Sequence, residues 1–592
     1  MTLRRSLSLF VTLVGIATVL TIALLFAAYV MSARGPSIPD ESVLVVRPGG
    51  ELLEVLPDDV VGQVLGGDAG TVRGFIESLQ KAKRDPRITL VLLLPATLEL
   101  PFWGKVQELR DAVVDFRRSG KTVVAFLEYG GDREYYLASA ADRVFLLPTS
   151  PLDLTGIASY EIFLRGALDK LGAYPDFVHI GAYKTAVNQF TEKGFTPEHR
   201  EMTESLNRDL YEQLVRGIAE ARKKTPEEVR RLLDEGPFTP EAAREAGFVD
   251  ELAYLDQLDD RVAALKVEDD PRERVEERDY RRVSSRSLGV RTASRIAVLY
   301  ASGVIASGRS TQDSVNGAVV GSDTMVEQLE RIRDDDSIKA IVLRVDSPGG
   351  SSVASDVIWR ELSITRDQNP SRPLIASMSD LAASGGYYIS MPAQVIVAQP
   401  GTLTGSIGIF GGKVVVGGTL DKVGIGTETV QSGRNANLSS PFDPFTAEQR
   451  EKLMAYMQSF YDSFVRKAAE SRHTTPEQIH AVAQGRVWTG RQARERGLVD
   501  ELGGLDRAVV IAKARAGIPA DEEVELVTFP PRRTLYEAIA EQFGSSASAA
   551  TAGRLWTLLG GAEGRAMAAL TAPVRLFRRG EPLALMPFAF VR

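Results

Sequence analysis

The sequence predicts an α/β protein made of two tandem units with largely parallel strands, carried behind one apolar N-terminal helix. Three observations predict it. The 592-residue chain repeats itself at an offset near 250 residues. Within each copy, short apolar runs alternate with amphipathic stretches. The N-terminus carries one long segment without charge. A chain of this length needs two or more cores. Its 44% hydrophobic and 25% charged residues are those of a globular protein.

Residues 1–8 form a short tail containing Arg4 and Arg5, and residues 9–31 are almost entirely apolar. As a helix this run would span about 34 Å, enough for a bilayer core of ~30 Å. The two arginines favour a cytoplasmic N-terminus, with the rest of the chain on the outer face. A cleaved signal peptide is the alternative. It is disfavoured by the length of the run and by a bulky Met31 at the −3 position of the best cleavage site.

The duplication has four collinear matches. "LQKAKRDPRITLVLLL" (79–94) answers "LERIRDDDSIKAIVLRV" (329–345). "DREYYLASAADRVFLLPTSPLDLTG" (132–156) answers "SGGYYISMPAQVIVAQPGTLTG" (384–405). "LDKLG" (168–172) answers "LDKVG" (420–424). "TPEEVRRLLDEGPFTPEAAREAGFVDEL" (225–252) answers "TPEQIHAVAQGRVWTGRQARERGLVDEL" (475–502). Two similar domains are expected at 42–275 and 290–525, joined by a solvated linker at 276–289 within the charged run 267–287. "KAIVLRV", "PLIASM" and "VIVAQ" read as buried strands. "SDTMVEQLERIRDD" and "TAEQREKLMAYMQSFYDSFVRKAAESR" read as helices. The tail, 526–592, has no clear place.

Composition removes several function classes. A net charge of −8 offers no basic footprint for nucleic acid. The chain has no cysteine, so disulfides, thiolate metal sites and a cysteine nucleophile are excluded. Its four histidines are scattered and no HExxH pattern occurs, so no metal is expected. No GxxxxGK[ST] loop occurs, so no nucleotide cofactor is expected either.

Four stretches carry candidate chemistry. "RVDSPGGSS" (344–352) is a strand followed by a glycine turn, which can aim backbone amides at an anion. "LAASGGYYIS" (381–390) sets Ser384 among small residues that leave room for an approaching group. "GTLTGSIGIFGG" (401–412) contains Ser406. "HIGAYKTAVNQF" (179–190) holds Lys184 in an otherwise uncharged context. Taken singly, each is explained by a tight turn or, for Lys184, by a surface lysine. The duplication joins them. The first copy has Asp132 where the second has Ser384, and lacks the glycine pair. The second has Ala436 where the first has Lys184. Each copy supplies what the other lacks. A serine nucleophile needs a base. His179, the one histidine near these motifs, should face elsewhere, which leaves a Ser–Lys dyad as the economical arrangement.

In this order, behind a membrane helix, "DSPGG", "LAASGGYYIS", "TLTGSIGIFG" and "GAYKTAVNQF" resemble the signal peptide peptidase A (protease IV) family in its long tandem form. The resemblance implies tandem ClpP/crotonase-like spiral domains in a homotetramer at the bacterial cytoplasmic membrane. It implies Ser384 as nucleophile, Lys184 as general base and Ser406 as the hydroxyl that orients the lysine. The oxyanion hole would be the amides of Gly350 and Gly385, and the substrates cleaved signal peptides and other apolar peptides. Two rivals are an acyl-CoA enzyme of the crotonase type and a scaffold that binds membrane peptides without cleaving them. The external location and the paired serine and lysine weigh against the first, and the intact Ser384 and Lys184 against the second.

Overall fold

A computed structural model of the chain describes residues 36–56, 70–258, 261, 273–289, 292–313, 317–531, 583–586 and 590–591. The apolar run at 9–31 lies outside these residues. Among the described residues no helix is long and apolar enough to cross a membrane.

The first copy folds around a six-stranded parallel sheet. In spatial order its strands are Arg274–Glu276, Ser42–Val46, Ile88–Leu93, Thr122–Leu127, Arg143–Leu146 and Glu251–Leu252. The three runs Ser42–Val46, Ile88–Leu93 and Thr122–Leu127 are buried nearly throughout, as expected of parallel strands covered on both faces. The second copy repeats the plan. Its central strands, Thr292–Ser302, Ile338–Ser347 and Leu374–Ala383, run parallel, with Glu523–Phe529 added beyond the first of them. Beyond Leu374–Ala383, Leu403–Gly405 pairs in parallel, and Val487–Thr489 then pairs antiparallel to it.

The internal repeat survives in detail. Tyr135 Oη donates to Phe248 O at 2.6 Å, and Tyr387 Oη donates to Leu498 O at 3.0 Å. Arg222 pairs with Asp250 as Arg472 pairs with Asp500. Thr225 and Thr475 each cap a helix that has proline in its first turn, where the missing N–H costs nothing.

A third, seven-stranded sheet joins the two copies. Its order is Thr311–Asp313, Gly317–Gly321, Val304–Ala306, Gly349–Ser351, Leu583–Leu585, Ile409–Val415 and Tyr174–Ile180. The last strand belongs to the first copy. It pairs antiparallel with Ile409–Val415 over seven residues, from Ile180 opposite Ile409 to Tyr174 opposite Val415. Polar contacts at the junction are buried as well. Arg344 meets Glu54 at 2.8 Å and Glu108 at 2.6 Å, and Lys105 meets Asp346 at 2.8 Å.

One expectation is corrected. The segment read as a solvated linker is partly docked on the first copy. Tyr280 is fully buried and donates to Asp85 at 3.1 Å, while Glu277 accepts from Ser78 at 2.6 Å. The charge density of this run concealed one aromatic anchor, and Glu277 beside it finds a buried partner in Ser78.

Candidate active site

Strand pairing alone brings three candidate residues together. Leu374–Ala383 is buried along its whole length and ends at Ser384. Ala383 lies opposite Gly405, so the following residues, Ser384 and Ser406, leave adjacent strands side by side. Ile180 lies opposite Ile409, and the chain reaches Lys184 four residues later. The first copy thereby delivers its lysine to the serines of the second, within one chain.

At the junction Lys184 Nζ lies 2.8 Å from Ser384 Oγ, 3.0 Å from Ser406 Oγ and 3.0 Å from Ser406 O. All three residues are fully buried. Burial, with no opposing charge to offset it, pushes the Lys184 amine well below the usual lysine range. A neutral amine keeps a lone pair, so it can take the hydroxyl proton of Ser384.

The backbone around these groups is unusual. Ser384 has φ 55° and Ser406 has φ 51°, conformations that non-glycine residues rarely adopt. Such strain persists only where the surroundings over-determine it. Here Ser384 N donates to Gly405 O, and Ser406 N donates to Arg486 O, both at 2.8 Å. Ser384 is the N-cap of the helix Gly385–Ser390, yet its hydroxyl makes no capping bond and stays with the lysine.

The glycines line the other side. Gly350 lies in a strand between Val304–Ala306 and Leu583–Leu585, opposite Ile305 and Ala584. A methyl group placed on Gly385 would stand 3.2 Å from Gly350 N, so these two glycines are immediate neighbours. That closeness is what a pair of oxyanion donors requires.

Sequence reasoning missed the groups that admit the lysine. Tyr183 N donates to Gln484 O at 2.8 Å, which seats the lysine turn on the second copy. A methyl on Gly485 would lie 2.5 Å from Lys184 Cα, and one on Gly408 would lie 3.1 Å from Lys184 Cδ. Both glycines are visible in the sequence, but nothing local says what they clear. The histidines stand apart. His179 is exposed and bonds Gly181 O through Nδ1, while His199 is buried 2.7 Å from Glu161. In the first copy Asp132, the counterpart of Ser384, accepts from Gly156 N at 3.1 Å, and burial pushes its carboxyl up to about 6.

The model of peptidase family S49 matches residues 115–268 and 366–519, one stretch in each copy. The chain is similar to the chloroplastic serine protease SPPA of Arabidopsis thaliana, at 36% identity over 79% of this chain and 69% of that protein. It is 34% identical to protease 4 of Salmonella typhi over 74% of this chain and 71% of the relative. Protease 4 of Haemophilus influenzae is 31% identical, over 73% of this chain and 71% of the relative. Among solved structures, a mutant of the 1510-N membrane-bound stomatin-specific protease aligns with 40% of this chain and 99% of its own. Its identity is 17% and its TM-score 0.25.

Proposed function

This chain belongs to peptidase family S49, and from that membership we propose that it is a membrane-anchored serine endopeptidase degrading cleaved signal peptides and other apolar peptides. In this reading Ser384 is the nucleophile and Lys184 the general base. Ser384 gives its hydroxyl proton to the neutral amine as its oxygen bonds the substrate carbonyl carbon. The amides of Gly350 and Gly385 hold the oxyanion, and Ser406 keeps the amine aimed. Lys184 then returns the proton to the leaving nitrogen, the C–N bond breaks, and an acyl-Ser384 ester remains. Water, activated by the same amine, releases the second product. No cofactor is needed for these steps.

The observation that carries the proposal is the 2.8 Å contact between a wholly buried lysine and Ser384. The names of the relatives, protease 4 and serine protease SPPA, support peptide-bond cleavage, and the resemblance of the sequence motifs supports signal peptides as the substrate. The apolar run at 9–31 supports the anchor, with the tandem domains, 42–275 and 290–525, on the outer face of the cytoplasmic membrane. A ClpP/crotonase-like spiral for each domain and a homotetrameric assembly complete the reading.

Active-site labelling tests it. An alkyl fluorophosphonate should modify the wild-type chain once, with the adduct located by mass spectrometry on Ser384. Ser384→Ala and Lys184→Ala should take up no label. An adduct elsewhere would remove Ser384 as the nucleophile, and none would favour a scaffold that binds peptides without cleaving them.

A further inference from the structure

The strand Leu583–Leu585, in the C-terminal segment, occupies a slot in the third sheet that borders the site on both sides. It runs antiparallel to Gly349–Ser351, with Leu585 opposite Gly349, Ala584 opposite Gly350 and Leu583 opposite Ser351. On its other side Leu583 lies opposite Phe410, in the strand that follows Ser406. Met586 N donates to Pro348 O at 2.8 Å. In an antiparallel ladder the bond on the far side of the Gly349–Leu585 pair then runs from Gly350 N–H to Ala584 O. A methyl on Gly349 would stand 2.0 Å from Ala584 O and 2.6 Å from Gly385 N. The Ala584 carbonyl thus lies against the amides assigned to the oxyanion.

The side chains fill the cleft as well. Leu583 and Leu585 join an apolar cluster with Phe177, Phe190 and Phe410, and Met586 joins another with Leu381 and Leu403. All three tail residues are buried. Further along, Phe590 pairs with Tyr160, which ties the tail down a second time. Backbone pairing with alternate side chains in pockets is how an extended peptide adds to a sheet edge.

We propose that the C-terminal segment is a built-in occupant of the peptide cleft, a strap that competes with incoming apolar peptides. The proposal rests on reading the Ser384 cleft as a peptide-binding site. A tethered segment acts at an effective concentration in the mM range, so an outside peptide at µM levels meets a closed cleft. Its apparent affinity falls by the fraction of chains whose cleft is open.

The test measures binding in detergent-solubilised Ser384→Ala protein, where no peptide bond is turned over. A fluorescent peptide of sequence PLALMPFAFVR, residues 582–592, is titrated into three forms. These are the full chain, a chain ending at residue 578, and the full chain carrying Leu585→Asp, which sets a carboxylate among phenylalanines. The shortened and Leu585→Asp forms should bind at least about tenfold more tightly than the full chain. Equal affinity in all three, or binding lost from both altered forms, would overturn the strap. Circular dichroism checks folding, and Leu585→Asp decides if the shortened chain does not fold. Fluorophosphonate labelling of wild-type Ser384 is read separately, so failure of the strap and failure of the peptidase reading are distinguishable.

Discussion

Lys184 is the residue on which the chemistry turns, because its environment makes an ordinary cation into a base. An exposed lysine has a pKa near ~10.4 and is almost wholly protonated at neutral pH. Here burial penalises the charged form, and the pKa falls well below that range. Below the depressed value the amine is charged and cannot accept the Ser384 proton; above it the amine is neutral and can. Activity should therefore rise with pH along one ionisation limb whose midpoint lies clearly below ~10.4. Lys184→Arg should be inactive throughout, because a guanidinium does not lose its proton in this range. The pH dependence of kcat/KM for the two proteins, measured side by side, decides the matter. A flat wild-type profile from about pH 6 to 10, or an active arginine variant, would remove Lys184 from the role of base.

Elements, rather than single residues, set the oxyanion geometry, and the glycine strand Gly349–Ser351 is the most constrained of them. Gly349 has φ 99°, and a methyl there would press on Ala584 O and Gly385 N at 2.0 and 2.6 Å. Gly349→Ala should keep the secondary structure yet displace the amides. Losing one oxyanion donor typically costs about 2.7–4 kcal/mol, so kcat/KM should fall by roughly 10²–10³-fold. Unchanged kinetics with a small peptide substrate would mean that the strand does not supply the donors. This scale also separates what was legible in the sequence from what was not. Ser384 stands out because small residues leave room beside its hydroxyl, the glycine pair because it can aim amides at an anion, and Lys184 because its stretch carries no other charge; the unequal copies join them. The strand Tyr174–Ile180 gave no sign that it would leave its own copy, since an apolar run shows burial but not which sheet edge it will join. The same holds for "LALM" at 583–586, whose partners lie more than 170 residues away. Long-range pairing is chosen by the whole fold, and no local pattern records it.

At the scale of the molecule, a lysine from one copy and a serine from the other meet only if the copies hold a fixed relation. Beside the shared seven-stranded sheet, buried charges at the junction link the two copies. Arg344 is 1% exposed and bonds both carboxylate oxygens of Glu54 at 2.8 Å, and it reaches Glu108 at 2.6 Å. It also donates to Ser377 and Ser379, on the strand that ends at Ser384. Burial would raise the Glu54 pKa, but the Arg344 guanidinium overrides it and holds the carboxyl at about 2. In the wild type this contribution is therefore fully present above the ordinary glutamate range and is lost as pH falls toward 2. Arg344→Met leaves two carboxylates buried without their cation. Removing one partner of such a pair costs about 3–5 kcal/mol, because the other charge is stranded. The loss should be greatest near pH 7 and shrink toward pH 4, where the orphaned Glu54 takes up a proton and burial no longer opposes it. Urea unfolding followed at both pH values, with peptidase activity alongside, tests this account. If the variant unfolds at the wild-type urea concentration at pH 7, the network is not what holds the copies together. If it unfolds early and loses activity in step, the dyad depends on an ion cluster that touches neither of its members.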